Sequence, residues 1–226
     1  MKGCFVTGTD TEIGKTWFST RLVRSLRRRG LRVGVMKPIA AGAFEAEAGW
    51  RNEDALALIE ASGQGWPYPS VNPYCFRAPV SPHIAAAEEG VSIDLSALAQ
   101  GARVLGAQSD FLVVEGAGGW RAPISQQTSM ADLAQVIDLP IILVVGLRLG
   151  CLNHAALSWE AIGASGCHPT GWVANRIDPN LLRSEENVAT LSQLLGSPPL
   201  AVLSYGDHGT SESSDLEACV DRLMAL

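Results

Sequence analysis

Cys4-Phe5-Val6-Thr7-Gly8-Thr9-Asp10-Thr11-Glu12-Ile13-Gly14-Lys15-Thr16 runs from a short apolar segment, through glycine-bounded polar residues, into a helical pattern. A helix is expected from about Lys15 to Arg29, with Phe18, Leu22 and Leu26 at i, i+4 and i+8 and Gly30 closing it. A strand that feeds a glycine loop into a helix start is the context a phosphate site needs. Glycines let backbone N–H groups turn toward phosphate oxygens, and the helix N-terminus adds a favourable dipole. Lys15 is then placed to reach the β- and γ-phosphates of ATP, and the Thr16 hydroxyl to ligate Mg²⁺. The spacing is Gly, five residues, then Gly-Lys-Thr, one residue longer than the commonest phosphate-loop pattern. A plain strand-to-helix turn that merely contains glycines is the competing reading, and Gly-Lys-Thr at the helix start weighs against it.

Working outward, short apolar runs recur between helical patterns. Strands are expected at Arg32 to Met36, Phe111 to Val114, Ile141 to Val145, Gly171 to Ala174 and Leu200 to Leu203. Helices are expected at Met130 to Val136, Asn153 to Ala164, Leu181 to Leu195 and Ser214 to Met224. Phe111-Leu112-Val113-Val114 is too apolar for a strand with one wet face, as a parallel sheet requires. Alternating β and α units imply an α/β, doubly wound, mostly parallel sheet with helices on both faces, in one domain over residues 1–226. Trp66-Pro67-Tyr68-Pro69 through Ser81-Pro82 reads as an ordered loop beside a site rather than a linker, because no second core follows it. Arg27-Arg28-Arg29 reads as a solvated last turn that complements the helix dipole, in preference to an anion patch.

Composition narrows the class. The chain has 226 residues, 47% hydrophobic and 18% charged, enough to bury a core without disulfides or structural metal. A formal net charge of -6 makes nucleic acid a poor partner, since phosphate backbones want excess Lys and Arg. The five cysteines are scattered, with no Cys-x-x-Cys pair, so reduced thiols in a cytoplasmic protein are expected. Met1-Lys2-Gly3 leads straight into a strand pattern, so no signal peptide is expected. The longest apolar run, Leu139 to Leu147, is too short to span a bilayer.

Glu115 ends a buried strand and precedes Gly116-Ala117-Gly118-Gly119, at the sheet edge where open α/β folds bind ligands. Its carboxylate could bind the metal, or could cap the following turn. Asp54, in Arg51-Asn52-Glu53-Asp54, is a weaker metal candidate, and alone it reads as a helix N-terminal acid. Lys37 ends the second strand and should share a crevice with Lys15, where two lysines and Mg²⁺ would stabilise an anionic transition state. An exposed strand-end lysine is the alternative. His83 and His154 lack ligand spacing and read as polar packing residues, and the six tryptophans read as packing, with Trp17 and Trp120 abutting the site.

Taken together, these motifs resemble the dethiobiotin synthetases, ATP-dependent ring-closing ligases of biotin biosynthesis with a P-loop NTPase fold. The resemblance is carried by residues 5–16, Lys37-Pro38-Ile39-Ala40, Arg51 to Leu58, Val71-Asn72-Pro73-Tyr74 and Ser81-Pro82-His83-Ile84. It continues through Val114 to Trp120, Leu149 to His154 and Gly171-Trp172-Val173-Ala174-Asn175. The family carboxylates 7,8-diaminononanoate with CO₂, phosphorylates the carbamate with ATP, and closes the cyclic urea. By resemblance, Lys15 and Lys37 are catalytic and hold carbamate and phosphate oxygens, while Thr16, Asp54 and Glu115 organise Mg²⁺. Nucleotide contacts fall to Glu12, Ile13, Gly14, Lys15, Thr16, Trp17, Asp54, and Glu115 with Gly116, Ala117 and Gly118. Asn175 would read the adenine edge beside Arg176, with further contacts from Ser204, Tyr205 and Gly206. Thr11 would meet the diamine or carbamate, Ala41 would line the substrate, and Gly150, Cys151, Leu152 and Asn153 would hold its carboxylate near a homodimer interface.

Three positions depart from the family pattern: Ala41 where Ser is frequent, Arg176 where Asp is common, and Leu203-Ser204-Tyr205 where Ile-Pro-Trp is usual. An amidating synthase of cobalamin precursors is the enzymatic alternative, but those carry a glutaminase domain for which this length has no room. A partitioning ATPase is the alternative from another class. It would place a further lysine early in the loop, where Thr9 and Asp10 stand.

Overall fold

The computed structural model describes residues 1–167, 169–206 and 214–225. In chain order the elements are β1 (Gly3–Gly8), α1 (Lys15–Arg28), β2 (Val33–Met36), β3 (Ile39–Ala41), β4 (Phe44–Ala46), β5 (Gly49–Arg51), α2 (Glu53–Ser62) and α3 (Tyr68–Val71). They continue with β6 (Tyr74–Phe76), α4 (Pro82–Glu88), α5 (Leu95–Ala107), β7 (Phe111–Glu115), α6 (Met130–Ile137) and β8 (Ile141–Leu147). The last are α7 (Cys151–Ala164), β9 (Pro169–Arg176), α8 (Ser184–Leu194), β10 (Ala201–Leu203) and α9 (Ser214–Met224).

Among the described residues, six strands form the central sheet in the order β10-β9-β8-β1-β7-β2, and every pairing is parallel. All residues of β1, β2, β7 and β8 are buried. Successive side chains of a strand point to opposite faces, so both faces must be covered, and helices cover them. The expected α/β architecture is therefore present. The chain runs from β1 outward to β2, returns to insert β7 between them, and then adds β8, β9 and β10 on the other side. Strand order thus reverses around β1, and the crevice past the strand ends there is where such sheets bind ligands.

Local chemistry explains the helix boundaries. Asn52 caps α2, its side-chain oxygen accepting from the Ala55 N–H at 3.3 Å, and Gly63 ends the helix with φ 58°. Asp94 caps α5 through the Ser96 and Ala97 N–H groups. Ser129 and Asp132 form a capping box on α6. Helix α1 differs: it starts after Gly14 with no side-chain cap and no acid in its first turn. Its first N–H groups and its positive dipole end are left to the cavity they face.

Several boundaries move. Helix α7 begins at Cys151, two residues before the expected Asn153, because Gly150 takes a left-handed conformation that turns the chain into it. Helix α8 begins at Ser184 rather than Leu181, following left-handed Arg183. The basic turn at the end of α1 is exposed, but it is not simply solvated. Arg27 Nη1 donates to the Ala61 carbonyl at 2.9 Å, and Arg29 Nη2 meets Glu217 Oε2 of α9 at 2.7 Å. Trp50 is 40% exposed on the β4–β5 hairpin, which corrects the packing reading for that tryptophan. Trp172, Trp120 and Trp66 are buried as expected.

Candidate functional site

Past the C-terminal ends of β1, β2 and β7 lies a cavity of about 730 Å³. The glycine loop forms its floor through Thr11, Glu12, Gly14, Lys15 and Thr16. Lys37, Asn52 and Asp54 line one wall, and Ala117, Gly118 and Ala122 line another. Pro79 to Pro82 cover it, so the Pro-rich excursion is ordered beside the cavity, as its composition suggested.

The loop is held open by its own residues. Glu12 and Gly14 both have positive φ, 58° and 86°, on either side of Ile13. Ile13 is 1% exposed, and its side chain fills space that a Cβ on Gly8 or Gly146 would occupy. A Cβ on Gly14 would lie 2.0 Å from Asn175 Nδ2, so glycine is required there for space as well as for backbone angle. In the front half of the loop, Asp10 Oδ1 accepts from the Thr11 N–H at 2.8 Å, and Arg148 from the end of β8 ion-pairs with Asp10. Lys15 Nζ donates to the Asp10 carbonyl at 2.7 Å. Burial first, and then the nearby Lys37 charge, lower the Lys15 ammonium to a pKa of about 8.

Lys37, Glu115, Thr16 and Asp54 converge at one point. Lys37 Nζ lies 2.6 Å from Glu115 Oε1 and 2.9 Å from Asp54 Oδ2. Thr16 Oγ1 donates to the same Glu115 Oε1 at 2.7 Å. The Lys37 and Glu115 side chains are 5% and 0% exposed, so this pair is inside the protein. Burial works against the Lys37 charge, but the two carboxylates outweigh it and raise its pKa above the usual lysine value. Burial likewise opposes ionisation of Asp54, and Lys37 outweighs it, holding that carboxyl below the usual aspartate range. Glu115 Oε2 is buried without a hydrogen-bond partner. A buried carboxylate oxygen left over is costly unless something occupies it.

A family model described as an AAA domain matches residues 2–213. A curated protein of Xanthomonas oryzae pv. oryzae (strain PXO99A) named ATP-dependent dethiobiotin synthetase BioD is 50% identical over 194 residues, 86% of this chain and 87% of its own length. Its namesakes in Xylella fastidiosa (strain 9a5c) and Aromatoleum aromaticum are 51% and 48% identical, each covering 88% or 89% of both chains. The chain belongs to the dethiobiotin synthetase family. Solved structures with the same fold include a ParA family ATPase from Chlorobium tepidum TLS, with TM-score 0.62 at 14% identity over 100% of both chains. MinD cell division protein from Aquifex aeolicus has TM-score 0.63 at 14% identity, covering 100% of this chain and 98% of that one.

Within this synthetase fold, the residues singled out by sequence fall into three groups. Thr11, Glu12, Gly14, Lys15, Thr16, Lys37, Ala41, Asp54, Ala117 and Gly118 line the cavity. Glu115 and Gly116 sit directly beneath it at the end of β7, and Gly116 packs against Phe5 and Met130. The rest lie apart from that lining. Trp17 packs beneath the Arg21 guanidinium, 4.2 Å from its ring centroid. Asn175 Nδ2 donates to the Ile13 carbonyl at 2.8 Å, while Arg176 pairs with Glu185. Ser204, Tyr205 and Gly206 are exposed just past β10. Gly150 to Asn153 open α7, next to Leu149, which is 93% exposed. Sequence reasoning missed the parts played by Asp10 and Arg148, because no local signal marks an ion pair whose members lie 138 residues apart.

Proposed function

We propose that this synthetase makes dethiobiotin from 7,8-diaminononanoate, CO₂ and ATP, releasing ADP and phosphate. One amine takes CO₂ to form a carbamate, losing a proton. A carbamate oxygen attacks the γ-phosphorus of ATP and expels ADP, giving a carbamic–phosphoric mixed anhydride. The second amine then attacks the carbamoyl carbon, loses a proton, closes the cyclic urea and expels phosphate. The observation that supports this most is the convergence of Lys37 with Thr16, Asp54 and Glu115 at the foot of the phosphate loop. It supplies a buried ammonium for oxygens of the carbamate and the transferred phosphoryl, beside an oxygen-donor set.

Lys15 and the N–H groups opening α1 bind the phosphates, and Lys37 neutralises charge that grows as phosphoryl transfer proceeds. Thr16, Asp54 and Glu115 would hold Mg²⁺. The fit rests on their hard oxygen donors and on the unpartnered Glu115 Oε2. The metal would neutralise charge on the β- and γ-phosphate oxygens. Thr11 contacts the diamine, and Ala41 lines the same cavity without offering a hydroxyl. Glu12 to Trp17 and Gly116 to Gly118 line the nucleotide, with the base toward Asn175, Arg176 and Ser204 to Gly206. Gly150 to Asn153 of a second copy take the substrate carboxylate at a helix N-terminus, in a homodimer. The cytoplasm is the compartment this reading implies, in one domain of residues 1–226.

The reading is tested by incubating purified protein with diaminononanoate, bicarbonate, Mg²⁺ and ATP. Dethiobiotin and ADP are expected in equal amounts by mass spectrometry and nucleotide analysis. ATP hydrolysis indifferent to the diamine, with no cyclic urea, would overturn it.

A pH effect follows from Lys15. Phosphate binding needs the ammonium form, and the free protein holds that group near a pKa of about 8. ATP affinity measured by calorimetry should therefore be level below pH 7 and weaken as pH rises through 8. The fall should approach tenfold per pH unit while the protein stays folded. An affinity constant from pH 7 to 9.5 would show that Lys15 does not meet the phosphates.

A further inference from the structure

Ile13 lies between two left-handed residues, Glu12 at φ 58° and Gly14 at φ 86°. Such a segment is costly for a non-glycine residue and persists only where its surroundings hold it. Three contacts hold it here. The Ile13 side chain is pinned where Gly8 and Gly146 leave room; a Cβ on Gly146 would lie 2.8 Å from that of Ile13. Gly146 pairs in register with Asn175 on the adjacent strand β9. From there Asn175 Nδ2 donates to the Ile13 carbonyl at 2.8 Å, and Asn175 itself is 4% exposed.

The geometry of one peptide unit gives this bond its meaning. In a trans peptide the carbonyl and the next N–H point in opposite directions. With the Ile13 oxygen held on Asn175, the Gly14 N–H points away from Asn175, and Gly14 is among the residues that line the cavity. A glycine at Gly14 tolerates either peptide orientation, because it carries no Cβ to forbid one of them. A flip would replace an N–H facing phosphate with a carbonyl oxygen, trading an attractive dipole for a repulsive one.

We infer that Asn175 is a positioning residue for phosphate, holding the Ile13–Gly14 peptide so that the loop presents N–H rather than C=O to any triphosphate. This deepens the nucleotide-site reading above and rests on it. It adds to the part assigned to Asn175 by family resemblance: one N–H of the amide is committed to the loop, and its second N–H and its oxygen remain for a base.

The test measures calorimetric binding of three magnesium complexes, those of ATP, GTP and inorganic tripolyphosphate. The proteins are the parent, Asn175→Leu and Asn175→Ser. Leucine keeps the volume without the donor; serine keeps a hydroxyl donor at shorter reach. Asn175→Leu should weaken all three ligands by a similar factor, about tenfold, with Asn175→Ser in between. Loss confined to ATP, with tripolyphosphate bound normally, would overturn the inference and leave Asn175 as a base reader. Unchanged binding of all three would overturn it as well. So would a fall in the ligand-free melting temperature that is the same for both variants and accounts for the lost affinity, since packing alone produces that. A parent protein that binds neither ATP nor tripolyphosphate would overturn the nucleotide site itself.

Discussion

Lys37→Ala should lower kcat by about 10²–10³ while ATP affinity changes only a fewfold. The separation follows from position. In the proposed reading, Lys15 and the start of α1 bind phosphates in the ground state, and they do so without Lys37. Lys37 instead sits 2.6 Å from Glu115 at the side of the cavity assigned to the carbamate and the moving phosphoryl. An interaction that strengthens only as charge builds is lost from kcat and kcat/KM together. Lys37→Arg should not restore activity, because a planar guanidinium cannot occupy a buried space shaped for an ammonium between Glu115 and Asp54. Steady-state kinetics with calorimetric ATP binding checks both variants. A loss of ATP binding with kcat preserved would remove Lys37 from the transferred group.

Glu115→Ala is expected to harm both the fold and the chemistry. Glu115 is wholly buried and receives hydrogen bonds from Thr16 and Lys37. Removing it leaves an interior ammonium supported by Asp54, whose side chain is 44% exposed, and by a long 3.5 Å contact to the Gly116 carbonyl. Breaking one side of a buried pair costs about 3–5 kcal/mol, and the remaining Asp54 contact favours the lower end. Chemical denaturation should show a destabilisation of about 3 kcal/mol. A double variant, Glu115→Leu with Lys37→Met, should recover much of that stability, since it removes both charges and fills the space. It should recover no activity. A single Glu115→Ala variant as stable as its parent would mean that the pair is relieved by water.

The fold was legible wherever burial left a continuous apolar run. Phe111 to Glu115 and Ile141 to Leu147 are buried on both faces, so their hydrophobicity does not alternate and they stand out in the sequence. The three-residue strands β3 to β6 were not legible, because pairs that short carry no period. Helix α5 was missed for another reason. Gly101 and Gly106 interrupt its helical pattern, and Gly106 is small because Met1 packs against it; a Cβ there would lie 2.1 Å from the Met1 sulfur. Of the site, the loop with Lys15 and Thr16 was readable from spacing, and Lys37 and Glu115 from their places at strand ends. What could not be read was that Lys37 and Glu115 touch across 78 residues, or that Asn175 grips Ile13 across 162. Such contacts arise only when parallel strands bring remote ends into register.

The arginines that close α1 bear on the chemistry at its other end. Over 14 residues the helix is about 21 Å long, with the phosphate loop at one tip. Arg27 fastens the opposite tip to the Ala61 carbonyl of α2, and Arg29 fastens it to Glu217 of α9. A rod held at its far end can displace its near end only by tilting, and a shift of 1 Å at Lys15 corresponds to a tilt of roughly 3°. Misplacements of that size can cost about a hundredfold in rate. Surface contacts that contribute little to folding can therefore act here as alignment screws, setting from the far end of the helix the aim of the lysine proposed to meet the phosphates.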